Sequence, residues 1–79
     1  MSELPKSILS SLMLMGAQSL DKAMSIDELA GKLRIGRNTV ESELKSLVNS
    51  GYAKLTERSG KEAVYLTPMG IITASSTYS

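Results

Sequence analysis

The side chains with the most evident chemistry in this chain lie in one polar stretch, RNTVESELK, which begins at Arg37. Helical spacing puts Arg37, Asn38, Glu41, Ser42 and Lys45 opposite a stripe of apolar residues. Arginine can donate two hydrogen bonds to guanine and asparagine can pair similarly with adenine, so this face has groups that can recognise bases. A polar helix face is more often simply solvated, however, and Arg37 and Glu41 are spaced to pair with each other. Both interpretations stay open at this point.

The composition argues against most other kinds of site chemistry. The chain has no histidine and no cysteine, which removes disulfides and the usual ligands of structural zinc. Its carboxylates are scattered over predicted solvent faces, and no serine has an evident base. The glycines fall at helix ends and turns instead of forming a phosphate-binding loop. We therefore expect no enzyme, no metal site and no cofactor.

Length and charge set the broad class of the protein. The 79 residues, 42% hydrophobic and 22% charged, suit one small folded domain spanning 1–79. The net charge is only +1, so the distribution of charge, and not its sum, must decide whether phosphate is a partner. The N-terminus lacks the pattern of a signal peptide, and the apolar run 8–17 is too short to span a bilayer. We expect a soluble, cytoplasmic protein without a membrane partner.

The central pattern, at about 25–50, predicts two short amphipathic helices joined by a tight turn. Ser25 and Glu28 form a capping box that marks the start of the first of these helices. The turn is expected at 34–36, and Gly51 ends the second helix. The buried sides of the pair are expected to comprise Ile26, Leu29, Ala30, Leu33, Val40, Leu44, Leu47 and Val48. This layout is typical of a helix-turn-helix.

A helix at about 4–20, capped by Ser2, is expected before this pair, with a brief edge strand at Ala23-Met24. Leu9, Met13 and Leu14 make its apolar arc wider than one buried face needs. Either the chain itself covers this arc, or the arc meets a second copy. The second interpretation predicts a homodimer, with help from the C-terminal residues Ile71, Ile72 and Tyr78.

The pattern changes to a period of two residues after the central helices. This alternation predicts a two-stranded hairpin at about 52–66, with its tip at 58–61 and Gly60 free to take positive φ. Thr67 and Pro68 then suit the N-cap and first position of a short C-terminal helix at about 68–75.

The order of these elements resembles the winged-helix domains of prokaryotic (bacterial or archaeal) transcriptional regulators, the MarR and ArsR types especially. The matching positions are Leu29-Ala30, Leu33-Arg34-Ile35, Arg37-Asn38-Thr39-Val40, Leu44, Leu47, Asn49-Ser50-Gly51-Tyr52 and Tyr65-Leu66-Thr67-Pro68-Met69-Gly70. The resemblance implies an α+β, mainly helical fold with a three-helix core, a two-stranded β-wing and a short C-terminal helix. The chain departs from the pattern at Arg34, where these families often have glycine, and at Gly36, where serine usually opens the recognition helix.

The resemblance also implies a function, namely binding of double-stranded DNA by a small transcriptional regulator, either sequence-specific or general. Helix 37–49 would enter the major groove, and the 58–61 wing would lie on the backbone or in the minor groove. The residues implied in DNA binding are Arg37, Asn38, Thr39, Ser42, Lys45, Arg34, Ser25, Arg58, Ser59 and Lys61. The alternative is a winged-helix docking module, a small subunit or accessory factor of a larger assembly such as one of replication or transcription.

Overall fold

The computed structural model describes residues 3–78 and has four α-helices and a three-stranded antiparallel sheet. The elements in chain order are α1 (Glu3–Leu14), a 3₁₀ turn (Leu20–Lys22), β1 (Met24–Ser25), α2 (Ile26–Leu33), α3 (Arg37–Asn49), β2 (Ala53–Arg58), β3 (Lys61–Leu66) and α4 (Pro68–Tyr78). The strands lie in the order β1-β3-β2. This is the winged helix-turn-helix architecture that the sequence predicts, with β2 and β3 as the wing. The expected cap at Ser2 falls outside the described residues.

The first helix is shorter than predicted, and the expectation that it reaches residue 20 is wrong. Gly16 adopts a φ of 76°, which stops the helix after Leu14. The amides of Gly16 and Ala17 then bond to the carbonyls of Met13 and Leu12, at 3.1 and 2.9 Å, in the pattern of a Schellman motif. The chain beyond this point runs as a loop that leads to the 3₁₀ turn.

The helix-turn-helix has the predicted start and an unusual turn. The Ser25 hydroxyl accepts a hydrogen bond from the Glu28 amide at 3.1 Å, which confirms the predicted N-cap of α2. Arg34 ends α2 in the left-handed region, with φ 58° and ψ 41°. Its amide and that of Ile35 bond back to the carbonyls of Gly31 and Ala30, as in the Schellman motif after α1. Arg34 therefore fills the backbone role for which glycine is the usual choice.

The wing is a regular hairpin with the predicted tip. Its strands pair from Ala53 opposite Leu66 to Arg58 opposite Lys61. Ser59 and Gly60 form the turn, and both have positive φ, at 53° and 78°. Two consecutive positive φ values are typical of the tight turns that join strands in hairpins. The predicted edge strand is present one residue further along, at Met24–Ser25, and it pairs with β3.

The hydrophobic core lies between the helices and the inner face of the sheet. Its large, fully buried side chains are Ile8, Leu9, Leu12, Ile26, Leu29, Leu44, Leu66, Val40 and Val64. Leu33 and Val48, which were expected in the core, are only partly buried against it, as is Ile35 in the turn. None of the described helices is long and apolar enough to cross a membrane.

The last helix, α4, is longer than the predicted 68–75 and is fixed at its start by Thr67. The Thr67 hydroxyl accepts from the Gly70 amide at 3.1 Å and donates to the Gly51 carbonyl at 2.6 Å. The Thr67 amide donates to the Tyr52 carbonyl at 3.1 Å. These bonds join the start of α4 to the segment between α3 and β2.

Gly70 provides a test of this junction. A Cβ atom at Gly70 would overlap the Tyr52 carbonyl oxygen and lie 3.2 Å from a methyl carbon of Leu66. We expect Gly70→Ala to lower the free energy of unfolding by about 1–3 kcal/mol, because the backbone of Tyr52 must shift. Urea unfolding measures this change.

Gly31→Ala is the matched control, because apart from its chain neighbours and the backbone of its own helix no atom lies within 4 Å of the added methyl group. It should leave α2 unchanged or stabilise it by about 0.5–1 kcal/mol. Equal stability of Gly70→Ala and the wild-type protein would contradict the close packing of α4 on Tyr52.

Candidate nucleic-acid interface

Eight of the ten candidate site residues divide into two groups, one on α3 and one beside the wing turn. Asn38, Thr39, Ser42 and Lys45 are exposed on one side of α3. Ser25, Arg58, Ser59 and Lys61 instead line a groove of about 510 Å³ beside the wing, and none of the residues that line this groove belongs to α3. The structure thus brings the first four together on one helix and places the other four on a separate surface.

The exposed side of α3 is longer than the sequence interpretation recognised. Asn38, Ser42, Lys45 and Asn49 follow one another at helical spacing, and all four are exposed. Ser46 lies beside them and is exposed as well. The apolar stripe on the other side, with Val40, Leu44 and Leu47 fully buried, holds the helix in place. The continuous polar surface can therefore meet a partner without disturbing the core.

Arg37 differs from its neighbours because its guanidinium is engaged by three carboxylates of the protein. Its Nε atom donates to Glu41 at 2.7 Å, and one terminal nitrogen donates to Asp27. The other terminal nitrogen lies 3.6 Å from a carboxylate oxygen of Glu62. These partners belong to α3, α2 and β3, so a single side chain links the two helices of the motif to the wing.

These interactions determine what Arg37 can do. The hydrogen bonds to Asp27 and Glu41 raise the pKa of the Arg37 guanidinium above its ordinary value, so the group keeps its charge at any working pH. The edges of the guanidinium that would form a pair of hydrogen bonds with guanine already face carboxylates. The pairing of Arg37 with Glu41, one of the two alternatives that the sequence left open, is therefore present, and two further partners add to it.

The space between α3 and the wing carries mixed charge. A small slot there is lined by Ile26, Glu41, Leu44, Lys45, Leu55 and Glu62. Its two carboxylates, Glu41 and Glu62, both contact Arg37, and Lys45 is the cation among the residues that line it. The part of α3 suited to an anionic partner is the exposed edge that runs from Asn38 to Asn49.

The other face of the wing is basic. Arg58 donates to the Ala23 carbonyl at 3.0 Å, which ties the wing to the segment before β1. The same groove contains Lys22, which the sequence interpretation did not single out. Only the position of Lys22 in a polar link between two predicted helices could have indicated it, and that is a weak signal.

The side chain of Arg34 is exposed at the turn of the helix-turn-helix, where its backbone closes α2. Within the described part of the chain, no group of three or more histidine, cysteine, aspartate or glutamate residues could hold a metal ion.

The Arg37 cluster leads to a prediction about stability. We expect Arg37→Ala and Asp27→Asn each to lower the melting temperature, because each removes a charged hydrogen bond between α2 and α3. The double variant should lose less than the sum of the two single losses, because the two residues share one interaction. Thermal unfolding monitored by circular dichroism measures all three changes.

Lys45→Ala provides the control, because Lys45 is exposed on the same helix and makes no ion pair within 4.0 Å among the described side chains. It should melt at the wild-type temperature. Strict additivity of Arg37→Ala and Asp27→Asn would show that the two side chains do not interact in solution.

Comparison with known proteins supports the fold. No protein-family model matches the sequence, and no curated protein matches it either. Among solved structures, the chain is similar to TubR from Bacillus megaterium pBM400, with a TM-score of 0.90 and 19% identity over 99% of this chain and 87% of that one. It is also similar to SSV1 F-93, with a TM-score of 0.64 and 19% identity over 92% of this chain and 80% of that one. Both similarities support the winged-helix fold.

Proposed function

We propose that this protein binds double-stranded DNA through the exposed side of α3 and acts as a small transcriptional regulator. The observation that carries the proposal is the uncovered polar edge of α3, with Asn38, Thr39, Ser42 and Lys45 exposed together. In a winged helix the corresponding helix can enter a major groove, where such side chains meet base edges and phosphates. The resemblance to regulators of the MarR and ArsR types supports the same proposal.

Within this proposal the side chains have different roles. Asn38 can recognise adenine, whereas Thr39 and Ser42 suit a phosphate or a thymine methyl group. Lys45 supplies positive charge to the backbone. Arg37 acts as a positioning residue, because its bond to Asp27 joins the start of α3 to α2, while its bond to Glu41 holds the guanidinium against α3.

The remaining candidates would contact the backbone. The wing turn at 58–61 would lie along the backbone or in the minor groove, and Arg34 and Ser25 would approach phosphates from α2. Because the Ser25 hydroxyl already accepts from the Glu28 amide, a phosphate would receive its remaining O–H donor.

We propose further that the protein acts as a homodimer through α1 and α4. Leu14 on α1 is 63% exposed and Ile72 on α4 is 67% exposed, and the two helices pack against each other. Exposed leucine and isoleucine side chains on adjoining helices favour contact with a second apolar surface. Leu9, which the sequence placed in this contact, is fully buried in the core, so that expectation is wrong. Met13 is half-buried and contributes at the edge, and the side chain of Tyr78 lies outside the described part.

The DNA proposal predicts a measurable affinity that depends on salt. We expect Lys45→Gln to weaken binding to duplexes of any sequence alike and to reduce the slope of log affinity against log salt by about one unit. The measurement is fluorescence anisotropy with a labelled mixed-sequence duplex at two or more salt concentrations.

Lys32→Gln removes the same charge from an exposed lysine in the last turn of α2, and it should leave the affinity and the slope nearly unchanged. If the wild-type protein shows no duplex binding at low salt, the DNA proposal fails. The winged-helix docking module, a small subunit or accessory factor of a larger assembly, would then take its place.

The dimer proposal predicts that the wild-type protein sediments as a dimer at micromolar concentration. Leu14→Glu and Ile72→Glu should each yield a monomer, because a buried charge in the contact is costly. Leu55→Glu changes another partly exposed leucine, on β2 beside α3, and should remain dimeric. A wild-type monomer in sedimentation velocity would remove this proposal and leave DNA binding to be judged separately.

A further inference from the structure

We propose that the outer edge of β2 is a docking site for a protein partner, which adds an extended segment with one basic face to the sheet. The strands have the order β1-β3-β2, so within the described part of the chain β2 has a neighbouring strand on one side only. A strand at the edge of a sheet presents backbone N–H and C=O groups that can pair with another chain. The site goes beyond the proposed DNA contacts, because it uses the backbone of β2 and neither the exposed side of α3 nor the wing turn.

The first step is to identify the backbone groups of β2 that face outward. The Thr67 amide donates to the Tyr52 carbonyl at 3.1 Å, so these two residues form a bonded pair. The Leu66 amide instead turns away from β2 and donates to the Ala17 carbonyl at 2.8 Å. Bonded and non-bonded pairs alternate along an antiparallel ladder, so Leu66 and the opposite residue Ala53 form a non-bonded pair.

The same alternation continues along the wing. Leu55 opposite Val64 is a non-bonded pair, and so is Glu57 opposite Glu62. The amides and carbonyls of Leu55 and Glu57 therefore point away from β3. Ala53 is buried, whereas Leu55 is 40% exposed and Glu57 is exposed as well. The accessible part of the edge is thus the stretch from Leu55 to Glu57.

The side chains beside this stretch determine the charge of the partner. Leu55 and Glu62 line the slot next to α3, and Glu57 points to the same face of the sheet. The charged groups around this face are two cations and four carboxylates, namely Arg37, Lys45, Asp27, Glu41, Glu57 and Glu62. The excess of two negative charges favours a cationic partner.

Glu57 differs from the other three carboxylates, which all contact Arg37. Glu57 makes no ion pair within 4.0 Å among the described side chains, and it lies opposite another carboxylate, that of Glu62. Like charges directly opposite each other destabilise a pair of strands. A lysine or arginine of an added strand would supply the missing opposite charge, and its methylene stem would lie against the exposed side chain of Leu55.

The opposite face of β2 limits the remaining side chains of the partner. Lys54 and Arg58 point to that face, since successive residues of a strand alternate between faces. A second row of basic residues on the added strand would meet these like charges. The segment that fits therefore alternates basic residues with uncharged or acidic ones, which distinguishes it from a uniformly basic chain.

The test uses the full chain without DNA and a short synthetic peptide that alternates lysine with threonine. Hydrogen exchange of single amides, followed by NMR, reports which backbone groups pair with the peptide. We expect saturable binding and slower exchange at Leu55 and Glu57, because their amides become donors to the added strand. The amides of Lys54 and Thr56 are the internal control, because they already face β3 and should keep their exchange rates. A peptide that alternates glutamate with threonine should not bind.

Two variants separate backbone pairing from charge. Leu55→Pro removes an outward N–H, and proline is tolerated on an edge strand at such a position, so the variant should fold and lose peptide binding. Glu57→Gln removes the unpaired carboxylate and should weaken binding roughly twofold to fivefold, as for an exposed ion pair. Glu28→Gln is the matched control, because Glu28 is an exposed carboxylate that lines the groove on the other face of the wing. It should bind the peptide as the wild-type protein does.

Peptide binding by a folded Leu55→Pro variant, or equal affinity for the two peptides, would overturn the proposal. Slow exchange at Leu55 and Glu57 without peptide that becomes slower with protein concentration would also overturn it, because a second copy would then occupy the edge. If Leu55→Pro does not fold, the exchange pattern and the comparison of Glu57→Gln with Glu28→Gln decide the question. Failure of duplex binding would leave these results unaffected, since no DNA is present.

Discussion

One guanidinium group, that of Arg37, links the two helices of the helix-turn-helix to the wing. It contacts Glu41 on its own helix, Asp27 on α2 and Glu62 on β3. Apolar packing holds α2 and α3 together, but packing is tolerant of small rotations, whereas hydrogen bonds to a planar guanidinium are directional. The start of α3 is therefore oriented by charge and the body of α3 by its buried stripe. Any surface that α3 presents to a partner inherits this orientation.

The same cluster organises the charges of the wing. Successive residues of a strand point to opposite faces of the sheet. At the end of the wing, the pair Glu57 and Glu62 therefore lies on the face turned toward Arg37, and the pair Arg58 and Lys61 lies on the face turned toward the segment before β1. The net charge of the chain does not reveal this distribution, because the acidic and basic residues nearly cancel. A net charge of only +1 is thus compatible with a surface that is locally basic.

Local patterns in the sequence were sufficient for the elements and insufficient for several contacts. The N-cap at Ser25, the hairpin tip and the N-cap at Thr67 depend on neighbours within three or four residues, and the structure has all three. The end of α1 was missed although Gly16 marks it, because apolar residues continue past the glycine and favoured a longer helix. The burial of Leu9 depends on packing of α1 against the rest of the fold, which periodicity in one helix cannot specify.

The site shows the same division between local and distant information. Pairing of Arg37 with Glu41 follows from their spacing, but Asp27 and Glu62 reach Arg37 only through the tertiary fold. An arginine at the start of a recognition helix suggests a contact with a base when only the sequence is considered. The contacts with Asp27 and Glu62 indicate instead that Arg37 connects the elements of the motif. In the proposed function, base recognition therefore falls to exposed side chains of α3 such as Asn38 and Ser42. A partner that competed for Arg37 would have to replace three carboxylates at once, which is a larger cost than contact with an exposed amide or hydroxyl.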